Sequence, residues 1–214
     1  MDGFSGYHKV AGVTLVGCWA HARRKFDEAL KALPDPQQKA RVTAGEGLAF
    51  CNRLFAIERE IQDASPEERL KTRAERSRPV LDSFWAWVHT QRPRVLPKST
   101  LGKAIAYCLE QREKLEAFMQ DGRLELHNHR SENALRPFVV GRKNWLFSNT
   151  PRGARASATI YSMIETARAN GLNPYAYLHW LFEELPQLPD MQDVQAVDRL
   201  LPWSASLPPH CRLV

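Results

Sequence analysis

The chain has 214 residues, with 43% hydrophobic and 25% charged residues, which is the composition of a soluble globular protein that buries a core in one or two domains. Thirty Lys and Arg against 24 Asp and Glu give a net charge of +6 and a pI near 9.3, which permits a polyanionic partner without demanding one. No run reaches the roughly 18 apolar residues of a membrane span, MDGFSGYHKV lacks the apolar core of a signal peptide, and the widely spaced Cys18, Cys51, Cys108 and Cys211 read as reduced, buried thiols. A cytoplasmic protein is expected.

In chain order, Val13-Thr14-Leu15-Val16 is a short β-branched run between Gly12 and Gly17 and reads as a buried strand. The chain offers few other strands to pair with it. From Ala20 the period turns helical, with Ala22, Phe26, Ala29, Leu30 and Leu33 on one side and Pro34 and Pro36 closing the segment. His21, Arg23, Arg24 and Lys25 crowd its first turn, where the helix dipole disfavours cations; a solvated basic face and an anion-binding face are both open.

Residues 38 to 63 predict a second helix, weakened in its first part by Gly45 and Gly47. Ser65-Pro66-Glu67-Glu68 is a helix start: an N-cap serine, a proline in the first turn and the glutamate of a capping box. The arginine-rich piece RLKTRAERSR follows as a solvated face or a phosphate-tracking one, with Pro79 interrupting the helix. Leu81, Phe84, Trp85 and Val88 then form an apolar stripe. Ser99-Thr100 opens a further helix, which keeps one apolar face as far as the turn signal Asp121-Gly122.

The densest chemistry lies in LHNHRSENALRPFVVGRKNWLF, residues 126–147. One acid, Glu132, sits among Asn128, Asn133 and Asn144 and the cations Arg130, Arg136, Arg142 and Lys143, with apolar residues threaded between them. Such a mixture can hold a metal ion beside a phosphate, or Glu132 and Arg136 can form an ion pair across one helical turn. His127-Asn128-His129 does not make a metal site by spacing, because i and i+2 point to opposite sides of a strand or helix. Three letters do not make an HNH nuclease box either. No GxxxxGK[ST] loop and no GxSxG are present.

After Ser148–Gly153, read as a loop, helices are expected over 156–170 and from Asn173-Pro174 to Pro186. The Pro-rich tail is expected to dock by its first part only, through Leu200, Leu201 and Trp203.

DGFSGY (2–7), VGCWAHARRKF (16–26), the long block SENALRPFVVGRKNWLFSNTPRGARASATIYSMIETARANGLNPYAYL (131–178) and DVQAVDRLLPW (193–203) resemble transposases of the insertion-sequence sixty-six family. The resemblance implies a mainly α chain with a small remnant of an RNase H-like α/β sheet and a multi-helix insertion between the second and third catalytic acids. The implied divisions are a partial core over 1–37, the helical insertion over 38–120, a Glu-bearing part of the core over 121–185, and a C-terminal element and tail over 186–214. By motif match, Asp2 corresponds to the second acid of a DDE triad and Glu132 to the third, both as ligands of Mg²⁺ or Mn²⁺ in DNA strand cleavage and joining. His21, Arg23, Arg24, Arg136, Arg142, Lys143 and Asn144 become candidates for DNA contact.

The chain departs from the family pattern in two places. The first catalytic Asp belongs to a part of the family's chain that precedes Asp2, and His127-Asn128-His129 stands where the family shows Asp-Asn-Asn. The expectation is therefore a C-terminal transposase fragment that is inactive alone. Its partners would be DNA, a full-length transposase or a separately encoded N-terminal half, in a bacterial cytoplasm and on the nucleoid when DNA-bound. The alternative is a non-catalytic DNA-binding or transposase-interacting regulator.

Overall fold

The computed structural model describes Gly6 and residues 12–32, 43–145 (backbone only at Trp145) and 148–213. The described residues are mainly helical, as the sequence predicts, and form no strand; extended pairing among them is confined to a bridge between Leu172 and Arg212. None of their helices is long and apolar enough to cross a membrane. The chain divides into two compact units, Met1–His129 and Arg130–Val214.

The first unit holds α1 (Trp19–Lys31), α2 (Thr43–Glu60), α3 (Pro66–Thr72), α4 (Arg78–Gln91), α5 (Thr100–Glu110) and α6 (Arg112–Glu116). The strand expected over Val13–Val16 does not form, and residues 13–18 run as irregular chain instead. Their backbone finds isolated partners where a ladder would need an edge: Gly17 N–H donates to Lys114 O at 2.7 Å, and just beyond them Trp19 N–H donates to Leu126 O at 3.0 Å.

Trp19 is the centre of the core. Its ring meets Phe84 edge-on at 5.2 Å, Phe84 meets Trp85 at 4.9 Å, and the indole N–H donates to Leu115 O at 2.8 Å. An aromatic side chain buried this way contributes roughly 2–3 kcal/mol through area alone, and the satisfied N–H removes the cost of burying its polar edge. Gly47, which weakens α2 by propensity, is needed by packing. A Cβ there would stand 2.6 Å from a ring carbon of Phe26, so the missing side chain is what lets α1 lie against α2.

The capping box forms as read: Glu68 N–H donates to Ser65 Oγ at 3.2 Å, and Ser65 N–H to Glu68 Oε2 at 3.0 Å. Pro79 does not interrupt the helix that follows. Residues Arg73–Ser77 form a π-helical turn in which Arg78 N–H reaches Arg73 O, and α3 continues through it into α4. A proline removes one i→i−4 hydrogen bond and crowds the carbonyl behind it, and a wider turn just upstream accommodates both.

That turn also carries Arg73 inward, against the expectation of a solvated arginine-rich face. Arg73 is 0% exposed. Its guanidinium grips Glu58 at 2.8 and 2.6 Å and donates to the carbonyls of Phe118, Asp121 and Leu124 at 2.7, 3.0 and 2.7 Å. Next to this, Arg123 folds onto Asp121, and that side-chain hydrogen bond lowers the carboxyl to about 2. All four cysteines are buried and free; burial raises the Cys51 thiol to about 12 and pushes that of Cys108 well up.

The second unit holds α7 (His129–Trp145, whose first residue closes the first unit), α8 (Pro151–Ala169), α9 (Pro174–Glu184) and the short α10 (Val194–Asp198). Helix α8 starts inside the stretch read as a loop, because Thr150 Oγ1 caps it by accepting from Gly153 N–H at 3.0 Å. It stops at Gly171, whose φ of +69° suits glycine. Asn173 caps α9, accepting from Tyr175 and Ala176.

The tail docks further than the sequence suggests. Leu200, Leu207 and Cys211 are buried with Leu172, Tyr177 and Leu181, Asn173 N–H donates to Cys211 O at 2.8 Å, and Trp203 stays exposed. Tyr177 pins this arrangement: it is fully buried, its hydroxyl donates to Leu200 O at 2.8 Å, and burial raises its ionisation to about 12. Tyr177→Phe leaves that carbonyl without its donor and is expected to destabilise the second unit by about 1–2 kcal/mol. Limited proteolysis checks this: cleavage within 186–213 should accelerate, while the first unit resists as before.

Candidate nucleic-acid interface

Of the two acids singled out in the sequence, Asp2 lies outside the described residues. Glu132 occupies the first turn of α7 and is half-buried. The favourable end of the helix dipole is the N-terminus for an anion, so the carboxylate sits where the backbone supports its charge.

Helical spacing places Glu132, Arg136 and Lys143 at i, i+4 and i+11 on one stripe of α7, with Arg136 and Lys143 exposed. Arg142 and Asn144 are exposed on the same helix and Arg130 in its first turn. Pro137 falls inside α7 one turn beyond Asn133, and having no N–H it leaves the Asn133 carbonyl without its usual helical donor. Within the segment that looked chemically dense, His129–Trp145 is therefore one cationic, amide-bearing helix with its acid near the start.

The second basic set stands on α1, in the other unit. Arg23 and Arg24 are exposed and His21 is half-buried. Arg23 is steered by Asn52, whose Oδ1 accepts from its Nε at 2.7 Å, and Lys25 is drawn over the Tyr107 ring at 4.9 Å. No acid stands in the first turn of α1 to compensate these charges. Each set is a group of cationic side chains carried by one helix.

A divalent-metal site needs several converging oxygen ligands. No group of three or more His, Cys, Asp and Glu among the described residues is placed to hold a metal ion. Glu132 on α7 does not by itself fit such an ion.

The second unit also presents apolar surface. Leu135, Val139 and Val140 of α7 are each more than half exposed. A recess of about 450 Å³ opens between α7 and α8, lined by Leu135, Phe138, Tyr161 and Glu165 among others. Phe138 and Tyr161 meet edge-to-face there at 5.1 Å.

Sequence reasoning missed Arg73. Its signal was present in Glu58 and the i, i+4 pair Arg69 and Arg73, but nothing local marks one arginine of a rich run as buried.

Comparison with known proteins follows the same lines. The family model described as Transposase IS66 family matches residues 1–156, and that of the IS66 C-terminal element matches residues 162–203. Three uncharacterized proteins of Sinorhizobium fredii are similar. The protein y4hP is 37% identical over 205 residues, covering 91% of this chain and 36% of that protein. The protein y4qI is 30% identical over 215 residues, covering 95% and 38%, and y4jD is 30% identical over 213 residues, covering 95% and 40%. The chain thus spans well under half the length of these relatives. No solved structure matches it. With one family model covering most of its length and a second covering much of the rest, the chain belongs to the IS66 transposase family.

Proposed function

We propose that the chain is the Glu-bearing part of a DDE transposase for DNA cleavage and strand transfer, and that these 214 residues bind DNA but do not cut it alone. The observation that carries this is the placement of Glu132 at the start of a cationic helix, α7, inside the family match. In this reading Glu132 is the triad's third acid and Asp2, by motif, its second. Arg136, Arg142, Lys143 and Asn144, with His21, Arg23 and Arg24 of α1, contact the phosphates of element ends and target. Residues 38–120 are the helical insertion, residues 121–185 the Glu-bearing part of the core, and Mg²⁺ or Mn²⁺ is the cofactor in this reading. Two matched acids fall short of a triad of three, hence the expected lack of cleavage by these residues alone. The setting is the bacterial cytoplasm, with the chain on the nucleoid when it holds DNA.

A second reading, a non-catalytic regulator that pairs with a longer transposase, is favoured by the apolar Leu135, Val139 and Val140 on α7. A partner chain would bury them, and their exposure marks an interaction surface.

The test is fluorescence anisotropy of element-end DNA across a salt series. With five cations on phosphates a log–log salt slope of about −4 to −5 is expected, its magnitude falling by about 2 when Arg136 and Lys143 are both replaced by alanine. In Mg²⁺ or Mn²⁺ the chain alone should leave the DNA uncut. Nicking by the chain alone that Glu132→Gln abolishes would remove the inactivity claim. Adding a longer family member separates the two readings, since Glu132-dependent nicking supports the first and Glu132-independent modulation the second. Absence of DNA binding overturns both.

A further inference from the structure

The first unit contains a recess of about 350 Å³ that the function above does not use. The C-terminal half of α2, Arg69 of α3 and residues 125–127 form it. Its walls combine an aromatic pile with groups of both signs. Phe55 faces His127 with centroids 6.2 Å apart and planes 16° from parallel, and His127 faces His129 at 4.2 Å and 22°. Arg59, Gln62 and Arg69 bring donors to the recess, and Glu125 brings an acceptor. Glu58 also lines it, but its carboxylate is already held by Arg73 and Arg69.

Two buried polar atoms of its lining residues have no hydrogen-bond partner in the protein, Arg69 Nε and His127 Nδ1. Glu125 Oε2 stands 3.5 Å from His127 Nδ1, close enough to pair by charge but too far for a good hydrogen bond. Buried polar groups are ordinarily satisfied, so orphans collected at one cavity point to an occupant that supplies both donors and acceptors.

The chemistry of the wall narrows that occupant. Two carboxylates among the cations disfavour a bare phosphate, and the polar lining disfavours an apolar peptide. A planar heterocycle with donors and acceptors at its edge matches the stacked rings and the mixed polar rim, and an attached phosphate matches Arg59 and Arg69.

We propose that this recess takes the base of an unpaired nucleotide. The base stacks on the Phe55–His127–His129 pile and reads its edge against Gln62 and Glu125, while Arg59 holds its phosphate. The proposal rests on the DNA reading only for the source of the nucleotide, an extruded base of bound DNA as opposed to a free mononucleotide.

The experiment uses the whole chain and 2-aminopurine in three probes: a duplex with the analogue bulged out, the same duplex fully paired, and the free deoxynucleoside 5′-monophosphate. The bulged duplex is expected to bind about 10-fold more tightly than the paired one, with quenched fluorescence, as stacking on an aromatic predicts. His127→Leu and Arg59→Ala should each reduce that preference to about threefold or less, with paired-duplex affinity nearly unchanged. Gln62→Ala, at an exposed position, should weaken it with no effect on folding, and circular dichroism checks all three. Equal affinity for bulged and paired duplexes, or variants that keep the full preference, overturns the pocket and leaves the DNA reading standing. Binding of the free nucleotide without any DNA binding keeps the pocket and overturns the DNA reading. If no probe binds, both fall.

Discussion

Arg73→Met is expected to destabilise the first unit by about 3–5 kcal/mol, the cost of leaving one partner of a buried ion pair behind. The guanidinium has five N–H donors. Two go to Glu58, and the other three bonds reach the carbonyls of Phe118, Asp121 and Leu124, so no donor remains. Its plane also lies over the Phe118 ring at 5.1 Å. Methionine keeps much of the volume but takes a donor from each of the three carbonyls, leaving that of Asp121 with Leu124 N–H at 3.1 Å, and leaves Glu58, 10% exposed, with only Arg69 at 3.2 Å. Lysine restores the charge without the fork and should recover less than half of the loss. Urea unfolding with hydrogen exchange over 112–126 measures this, and a loss below about 1 kcal/mol would sink the account. Arg76, whose 2.6 Å contact with Glu60 is exposed, is the control; Arg76→Met should leave the midpoint unchanged.

Gly122→Ala should be nearly as damaging, at about 3 kcal/mol or more, which is the upper range for overpacking a closed site. A Cβ at residue 122 would stand 1.9 Å from the Pro66 carbonyl oxygen and 2.6 Å from its carbon. Both are backbone atoms at the start of α3, so no rotamer change relieves the clash. The turn at 121–122 must lift away from α3, taking with it the carbonyls that Arg73 holds. The two substitutions share that contact, and their double mutant should cost less than the sum. Thermal unfolding of the single and double variants tests this, and strict additivity would mean that they act separately. The passage from 118 to 126, fixed at both points, is the one that delivers the chain to His127 and to α7.

The helix starts at Ser65, Ser99 and Asn173 were legible because each cap is made within about four residues of itself, and the structure forms all three. The end of the helix expected over 156–170 was legible for the same reason, since Gly171 follows it at φ +69°. The strand expected over Val13–Val16 failed because β-branched residues announce an extended chain but not a neighbour, and the backbone there pairs singly with other segments. Pro79 was read as a break, whereas a π turn accommodates it. The far end of the tail was expected to stay undocked because its buried partners, Leu172 and Tyr177, lie some 30 to 40 residues earlier in the chain.

The sequence alone determined the family, through long motif blocks, and the helical character, through apolar period and caps. It also marked Glu132 as the acid of interest, since residue identity and spacing survive in the chain whatever its fold. Only the tertiary structure decided which charges are surface and which are scaffold. Arg73 and Arg76 are three positions apart in one arginine-rich run, yet one is fully buried and the other exposed. The difference is made by carbonyls 45 to 51 residues away. The same holds for the pile of Phe55, His127 and His129, because Phe55 lies far in sequence from the two histidines. Burial is a property of what packs around a group, and a local pattern carries no record of partners that arrive from elsewhere in the chain.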